Sequence, residues 1–276
     1  MKFVFRLLAA LAVSTRLFAQ EPAPEAGASS ASAASPANPS PAPPRISYFS
    51  THVDGPYIAL TFDDGPHAKL TPKLLDILAQ RHIKVTFFLI GENAHAHPEI
   101  VKEEIAQGHE VGNHSWDHPN LRKLPEDKLR SELQRTDDEI KAIIGRSPTI
   151  MRPPYGELSP AQRQWVNKEF GYKIIFWDVD PNDWKDPGPS VVASRILAET
   201  KPGSIILSHD IHAGTVEAMP YIIDTLLQRG YKFVTVPELI AMDKPRPKKA
   251  PSPSPNDVPA APAPASSGVS APAASP

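Results

Sequence analysis

The chain has 276 residues, a formal net charge of −2, 33 prolines and no cysteine. That length allows one or two domains. The near-neutral charge gives no global field toward nucleic acid or a membrane surface, and the absence of cysteine excludes a disulfide scaffold and a lipoprotein attachment thiol.

In chain order, Lys2 and an apolar stretch to Val13, interrupted by Arg6, lead to Ala19 and Gln20. This pattern predicts a signal peptide over residues 1–20. It is too short for a spanning helix of about 20 apolar residues, and an uncleaved anchor is the alternative that Arg6 and Arg16 leave open. No membrane span is expected otherwise. The protein is therefore expected to be exported, to the periplasm, the cell envelope or the medium. Glu21 to Pro44 contains seven prolines and Pro245 to Pro276 ten more, with no aromatic residue in either. Such segments cannot bury enough apolar surface to offset the entropy of ordering. Residues 21–44 and 244–276 are expected to be a disordered linker and tail, and 45–243 a single domain. The basic cluster Lys244-Pro245-Arg246-Pro247-Lys248-Lys249 is read as a solvated part of the tail.

Within 45–243, short apolar runs predict strands at Tyr57–Phe62, Val85–Ile90, His109–Gly112, Thr149–Met151, Lys173–Trp177, Ser204–Leu207 and Phe233–Val236. Their nearly continuous hydrophobicity suits strands buried on both faces. Amphipathic stretches between them predict helices. Thr71-Pro72 reads as an N-cap followed by proline at the first helical position, ahead of Leu74, Leu75 and Leu78. Pro98–Gln107 ends at Gly108. A longer helix runs from about Pro125 to Gly145, and others cover Ser159–Phe170, Ser190–Thr200 and Thr215–Arg229. Repeated βα units imply a parallel sheet with right-handed crossovers. The pattern itself fits an open doubly wound sheet or a closed barrel. Asp63 and Asp64, His114, Arg152, Asp180 and His209 each fall at a different strand's C-terminal end. A barrel gathers all those ends at one mouth, whereas an open sheet converges only at its switch point. The barrel is preferred.

Asp63-Asp64-Gly65-Pro66 alone is ordinary turn chemistry. Adjacent carboxylates at a strand end can nevertheless face opposite ways, one to a metal and the other to the water it activates. His114 and His118, four apart, can share one side of a helical turn. Two imidazoles and one carboxylate suit Zn²⁺ with positions left for water and substrate, with Co²⁺ or Ni²⁺ as alternatives. Arg152-Pro153-Pro154-Tyr155-Gly156, Asp180-Pro181-Asn182-Asp183-Trp184 and Ser208-His209-Asp210 each have a plain turn reading in isolation. Together, at successive ends of one barrel, they point to a hydrolytic metal site.

As a set, TFDDGP at 61–66, HSWDH at 114–118, RPPYG at 152–156, DPNDW at 180–184 and ILSH at 206–209 resemble the NodB-homology polysaccharide deacetylases, the family-four carbohydrate esterases. The resemblance covers about Pro56 to Leu239. It implies a deformed seven-stranded (β/α) barrel as a single catalytic domain. It also implies one divalent metal ion held by Asp64, His114 and His118, with Asp63 as general base and Arg152 as its ion-pair partner. The backbone N–H of Tyr155 would face the oxyanion, and His209, oriented by Asp183, would be the general acid. Trp184 and Leu207 would take the acetyl methyl group. The implied substrate is an acetylated glycan polymer containing N-acetylglucosamine, with peptidoglycan first and chitin, poly-N-acetylglucosamine and O-acetylated xylan as alternatives. No nucleic-acid partner is expected, and the protein is expected to be a monomer. A non-catalytic glycan-binding protein should lack a ligand or the base, and none is missing here. The expected loops Gly91–His97 and Asp210–Val216 carry no readable substrate code, and His212 is read as a surface residue.

Overall fold

A computed structural model describes residues 44–245. The expected signal peptide (1–20), linker (21–44) and tail (244–276) lie outside the described residues, apart from Pro44, Lys244 and Pro245. Strands and helices follow in the order β1 (Ser47–Tyr48), β2 (Tyr57–Asp63), α1 (Leu70–Gln80), β3 (Thr86–Leu89), α2 (Gly91–Ala96), α3 (Pro98–Ala106), β4 (Glu110–Asn113), α4 (Glu126–Ile144), β5 (Ile150–Met151), α5 (Pro160–Phe170), β6 (Lys173–Ile175), α6 (Pro189–Glu199), β7 (Ile205–Ile206), α7 (Ala213–Gln228), β8 (Lys232–Phe233) and α8 (Val236–Ala241). No helix of the described residues is long and apolar enough to cross a membrane.

The ladders between these strands are all parallel. Pairing runs β1-β6-β5-β4-β3-β2-β7, with β8 added to β2. The remaining gap is crossed by single bridges, Ser50–Ser204 antiparallel and Val179–Ile206 parallel. The sheet is therefore a deformed barrel with seven strands along its pairing path, as the strand-end argument requires. Parallel strands with helical crossovers present all their C-terminal ends to one rim.

Strand β2 is the hub, paired with β3, β7 and β8. Its side chains alternate in the manner of any strand. Ile58, Leu60 and Phe62 join the large cluster that includes Leu74 and Leu78 of α1 and Ile222 and Leu226 of α7. Ala59 belongs to a separate cluster with Phe88, Ile150, Ile175 and Ile205. The residues that follow on that inner face are Thr61 and Asp63, so the inner face becomes polar as it reaches the rim. Val236, Leu239 and Ile240 of α8 join the inner cluster. Because the Val236 N–H donates to Thr86 Oγ1, at the start of β3, α8 covers the end opposite the rim. Gly112 makes room for an inner-face aromatic: a Cβ there would stand 2.7 Å from the Phe88 ring.

Several local expectations need correction. Helix α1 begins at Leu70, and Lys69, not Thr71, occupies the N-cap. The Thr71 hydroxyl is instead committed to Asp210, which removes it from capping. Residues 91–96, expected as loop, form α2. The last strand stops at Phe233, and Thr235 opens α8 with a capping box to Glu238. That box satisfies two otherwise unpaired helix N–H groups and outweighs the strand character of Val234 and Val236. Strand β1 was not anticipated, since two residues carry no period.

Glu104 of α3 is fully buried, and neither carboxyl oxygen has a hydrogen-bond partner among the described residues. Burial first, and the charge of Asp210 second, push its pKa well above the usual carboxylate value of 4.5. The folded state therefore holds a proton that the unfolded chain releases, and stability is lost as pH rises from the unfolded value toward the folded one. Glu104→Leu is expected to raise the melting temperature by roughly 2–4 °C for each ~1 kcal/mol of relief, with a larger gain near pH 8 than near pH 5. A thermal melt showing no gain at the higher pH would contradict this account.

Candidate active site

Asp63 is the last residue of β2 and is almost fully buried. Its N–H donates to the Ser208 carbonyl at 2.9 Å, and it bridges to His209, so β2 and the end of β7 are tied together at this point. Asp64 follows in a left-handed conformation, φ 72°, which side chains other than glycine adopt at a cost. The conformation has a consequence for the pair. The two carboxylates do not diverge to opposite faces, as simple strand alternation would have them do; His114 Nε2 lies 3.8 Å from Asp63 Oδ2 and 3.3 Å from Asp64 Oδ1. Both face one cavity.

The histidine pair converges by a different route from the helical turn expected. Residues 114–118 form a loop with Ser115 at φ 67° and His118 at φ 62°. Asn113 Oδ1 accepts from the Ser115 N–H, Ser115 Oγ accepts from the His118 N–H, and Glu132 Oε2 of α4 accepts from the N–H groups of Trp116 and Asp117. The loop brings the imidazole centroids to 5.0 Å. His114 Nδ1 sits 2.7 Å from the Arg152 carbonyl. A carbonyl only accepts, so Nδ1 carries a proton, and Nε2 is the nitrogen turned to the cavity. For His118, burial first and His114 second lower the pKa below the usual imidazole value, which favours the neutral form a metal ligand needs.

These side chains fit a divalent cation. One ligand atom each from Asp64, His114 and His118 lies within 4.8 Å of the others. Asp64 Oδ1 is buried and has no hydrogen-bond partner among the described residues, although both Nε2 atoms stand 3.3 Å away. A buried oxygen left so requires a reason, and a shared ion supplies one.

Arg152 is fully buried beneath this floor. Its Nη1 donates to Asp63 Oδ1 and Thr61 Oγ1, each at 2.7 Å, its Nη2 donates to the Phe176 carbonyl, and its guanidinium lies 4.2 Å from the Phe88 ring centre. The charge is thus paired, bonded and stacked, as a buried guanidinium must be. Tyr155, at φ 59°, is exposed and places its ring edge-on to His118, centroids 4.6 Å apart.

On the opposite side, Asp183 is buried with its carboxylate fully engaged. Oδ1 lies 2.8 Å from His209 Nδ1, and Oδ2 accepts from the His209 N–H and from Thr215 Oγ1, both at 2.8 Å. Burial alone would lower the His209 pKa; the hydrogen bond and charge of Asp183 overcome it and push it up to about 9. Asp180 spends Oδ1 on the N–H of Asn182 in an Asx turn and lies on the same cavity as His209.

Asp63, Asp64, His114, His118, Tyr155, Trp184, Leu207 and His209 line one cavity of about 530 Å³. Arg152 and Asp183 hold its members from behind. Trp177 also lines it; sequence reasoning missed this residue, though an aromatic immediately after a barrel strand was the available signal. Glu132 and Asp210 had no such signal, because the groups each one contacts are brought near it only by folding.

A family model described as polysaccharide deacetylase matches residues 51–175. A peptidoglycan-N-acetylglucosamine deacetylase of Bacillus cereus is 41% identical over 200 residues, covering 70% of this chain and 72% of that protein. The peptidoglycan-N-acetylglucosamine deacetylase PgdA of Listeria monocytogenes is 42% identical over 182 residues, but this chain spans only 38% of its length. A crystal structure of the Bc1960 peptidoglycan N-acetylglucosamine deacetylase superposes with a TM-score of 0.69 at 39% identity, covering 73% of this chain and 96% of that one. The chain belongs to the polysaccharide deacetylase family.

Proposed function

We propose that this protein is a metal-dependent hydrolase that removes N-acetyl groups from N-acetylglucosamine residues of peptidoglycan, acting outside the cytoplasm. The observation that carries the chemistry is the convergence, in one cavity, of an Asp-His-His ligand cluster with Asp63 on one side and an Asp183-bound His209 on the other. The similarity to peptidoglycan deacetylases of known sequence and structure supports the substrate.

Asp64, His114 and His118 would hold the ion, with Zn²⁺ the best match to two imidazoles and a carboxylate. When bound, it would acidify a water molecule and polarise the acetyl carbonyl. Asp63 then accepts the proton of the attacking water, aimed by Arg152 Nη1. The Tyr155 N–H donates to the oxyanion that develops on the carbonyl oxygen, from a loop stiffened by Pro153 and Pro154. His209 Nε2 delivers a proton to the departing sugar nitrogen as the C–N bond breaks, leaving acetate and a free amine. Leu207 and Trp184 enclose the methyl group. Asp63 and His209 thus divide base and acid work through different surroundings.

Asp183→Asn tests the acid side. Asp183 raises the His209 pKa, so the protonated form persists to higher pH than in a free imidazole. Removing that charge is expected to move the alkaline limb of kcat/KM to lower pH, with the acid limb left in place. An unmoved alkaline limb would exclude His209 as the proton donor. The substrate is tested by acetate release from peptidoglycan, N-acetylglucosamine oligomers and acetylated xylan with metal-reconstituted protein. Activity on xylan alone would overturn the substrate while leaving the mechanism intact.

A further inference from the structure

Asp210 follows His209 and is fully buried. Its carboxyl reaches across to the segment after β2. Thr71 Oγ1 donates to Asp210 Oδ2, and the same Oγ1 accepts from the His67 N–H at 2.7 Å. Asp210 also lies against Gly65. A Cβ on Gly65 would stand 2.6 Å from Asp210 Oδ2 and 2.7 Å from Oδ1. Gly65 is not among the residues with positive φ, so the carboxyl, rather than backbone conformation, excludes a side chain there.

The turn so contacted carries Asp64. Its other fastenings come from a different direction: Asn93 Nδ2 of α2 donates to the Asp64 carbonyl at 2.7 Å, and the Ile90 N–H donates to the Gly65 carbonyl at 3.2 Å. Asp210 reaches it from the His209 side, beyond the point where the Asp63 N–H bonds the Ser208 carbonyl. As a device for stability it is a poor choice, since Oδ1 is buried with no partner among the described residues and such a group costs about 1–3 kcal/mol. Left-handed Asp64 is itself a strained conformation that persists only where its surroundings over-determine it.

We propose that Asp210 is a positioning residue that braces the Asp64 turn against the strand end bearing His209, holding the metal ligand and the proton donor in one register. The inference rests on reading Asp64 as a metal ligand. Asp210 acts through packing on Gly65 and through the Thr71 hydroxyl, and it touches neither metal nor substrate. An amide oxygen can accept the Thr71 hydrogen equally well, so the conservative variant keeps the brace.

Zn²⁺ affinity by chelator competition and kcat for acetate release separate the outcomes. D210A is expected to lose at least about tenfold in affinity, the scale set by residues that support metal ligands, and to lose kcat with little change in KM. D210N should recover most of both. If D210A does not fold, G65A presses the same contact with Asp210 intact and should lose affinity alike. The G65A/D210A pair should lose no more than the worse single variant, because deleting the carboxyl makes room for the new Cβ. Independent sites would multiply their losses, and such multiplication would overturn the brace. So would D210A binding Zn²⁺ and turning over as the unaltered protein does, or D210N failing as badly as D210A. If the unaltered protein binds no Zn²⁺, the metal reading of Asp64 falls, and this inference with it.

Discussion

Asp63→Asn is expected to reduce acetate release by about 10²–10⁴-fold, the range for loss of a general base, while the protein keeps its metal. The substitution is nearly isosteric, and an amide oxygen can still accept from Arg152 Nη1. What disappears is the group able to take a proton from the attacking water. The neighbouring carboxylate, Asp64, belongs to the ligand cluster with the two imidazoles, so Asp63 has no second acceptor of that kind beside it. A stability cost accompanies the change: Arg152 is fully buried, and its one carboxylate partner becomes neutral. Removing one member of a buried ion pair costs about 3–5 kcal/mol when the other charge is left uncompensated; here the retained hydrogen bond should keep the loss below that. Metal content, thermal midpoint and kcat measured together separate these effects. Substantial turnover at normal metal content would remove Asp63 from the role of base.

The pattern of strand ends was legible because polar residues stop an apolar run abruptly. Tyr57–Phe62 reads as a buried strand, and Asp63 and Asp64 stand out at its end. The barrel followed from asking where five such interruptions could meet. The conformations that aim the side chains were not legible. Asp64, Ser115, His118 and Tyr155 all have positive φ, and none is a glycine whose presence would have signalled it. Their strain is maintained by tertiary bonds such as Glu132 to the N–H groups of Trp116 and Asp117, which no local propensity contains. For the same reason the His114–His118 spacing suggested a helical turn, when a loop fastened at four points does the work. Asp210 illustrates the limit most sharply. Nothing in the run His209-Asp210-Ile211 shows that its carboxyl will lie against Gly65, some 145 positions earlier in the chain.

His114→Ala is expected to remove metal and activity together, and the reason lies in how completely this side chain is defined. Its Nδ1 is occupied by the Arg152 carbonyl, its Nε2 is 3.3 Å from the unpartnered Asp64 Oδ1, and the residue is only 2% exposed. His118 already faces the same oxygen at 3.3 Å, and His209 is held by Asp183 through Nδ1. With Asp64 and His118 alone, a divalent ion would keep two protein ligands of three, below the usual complement of a catalytic zinc site. The loss of affinity should exceed the roughly 10–100-fold that follows from removing a residue behind the ligands. His114→Ala also unbinds the Arg152 carbonyl at the edge of the loop bearing Tyr155, so a modest fall in thermal midpoint is expected, with near-native circular dichroism. Chelator competition then discriminates the causes of inactivity. If His114→Ala retained one tightly bound metal ion per chain and still lost acetate release, the ion would sit elsewhere and His114 would be acting on the loop of Arg152 and Tyr155 instead. If the metal is lost while Asp63→Asn keeps it, the ligand and base assignments are separated by independent measurements on residues that lie within 4 Å of one another.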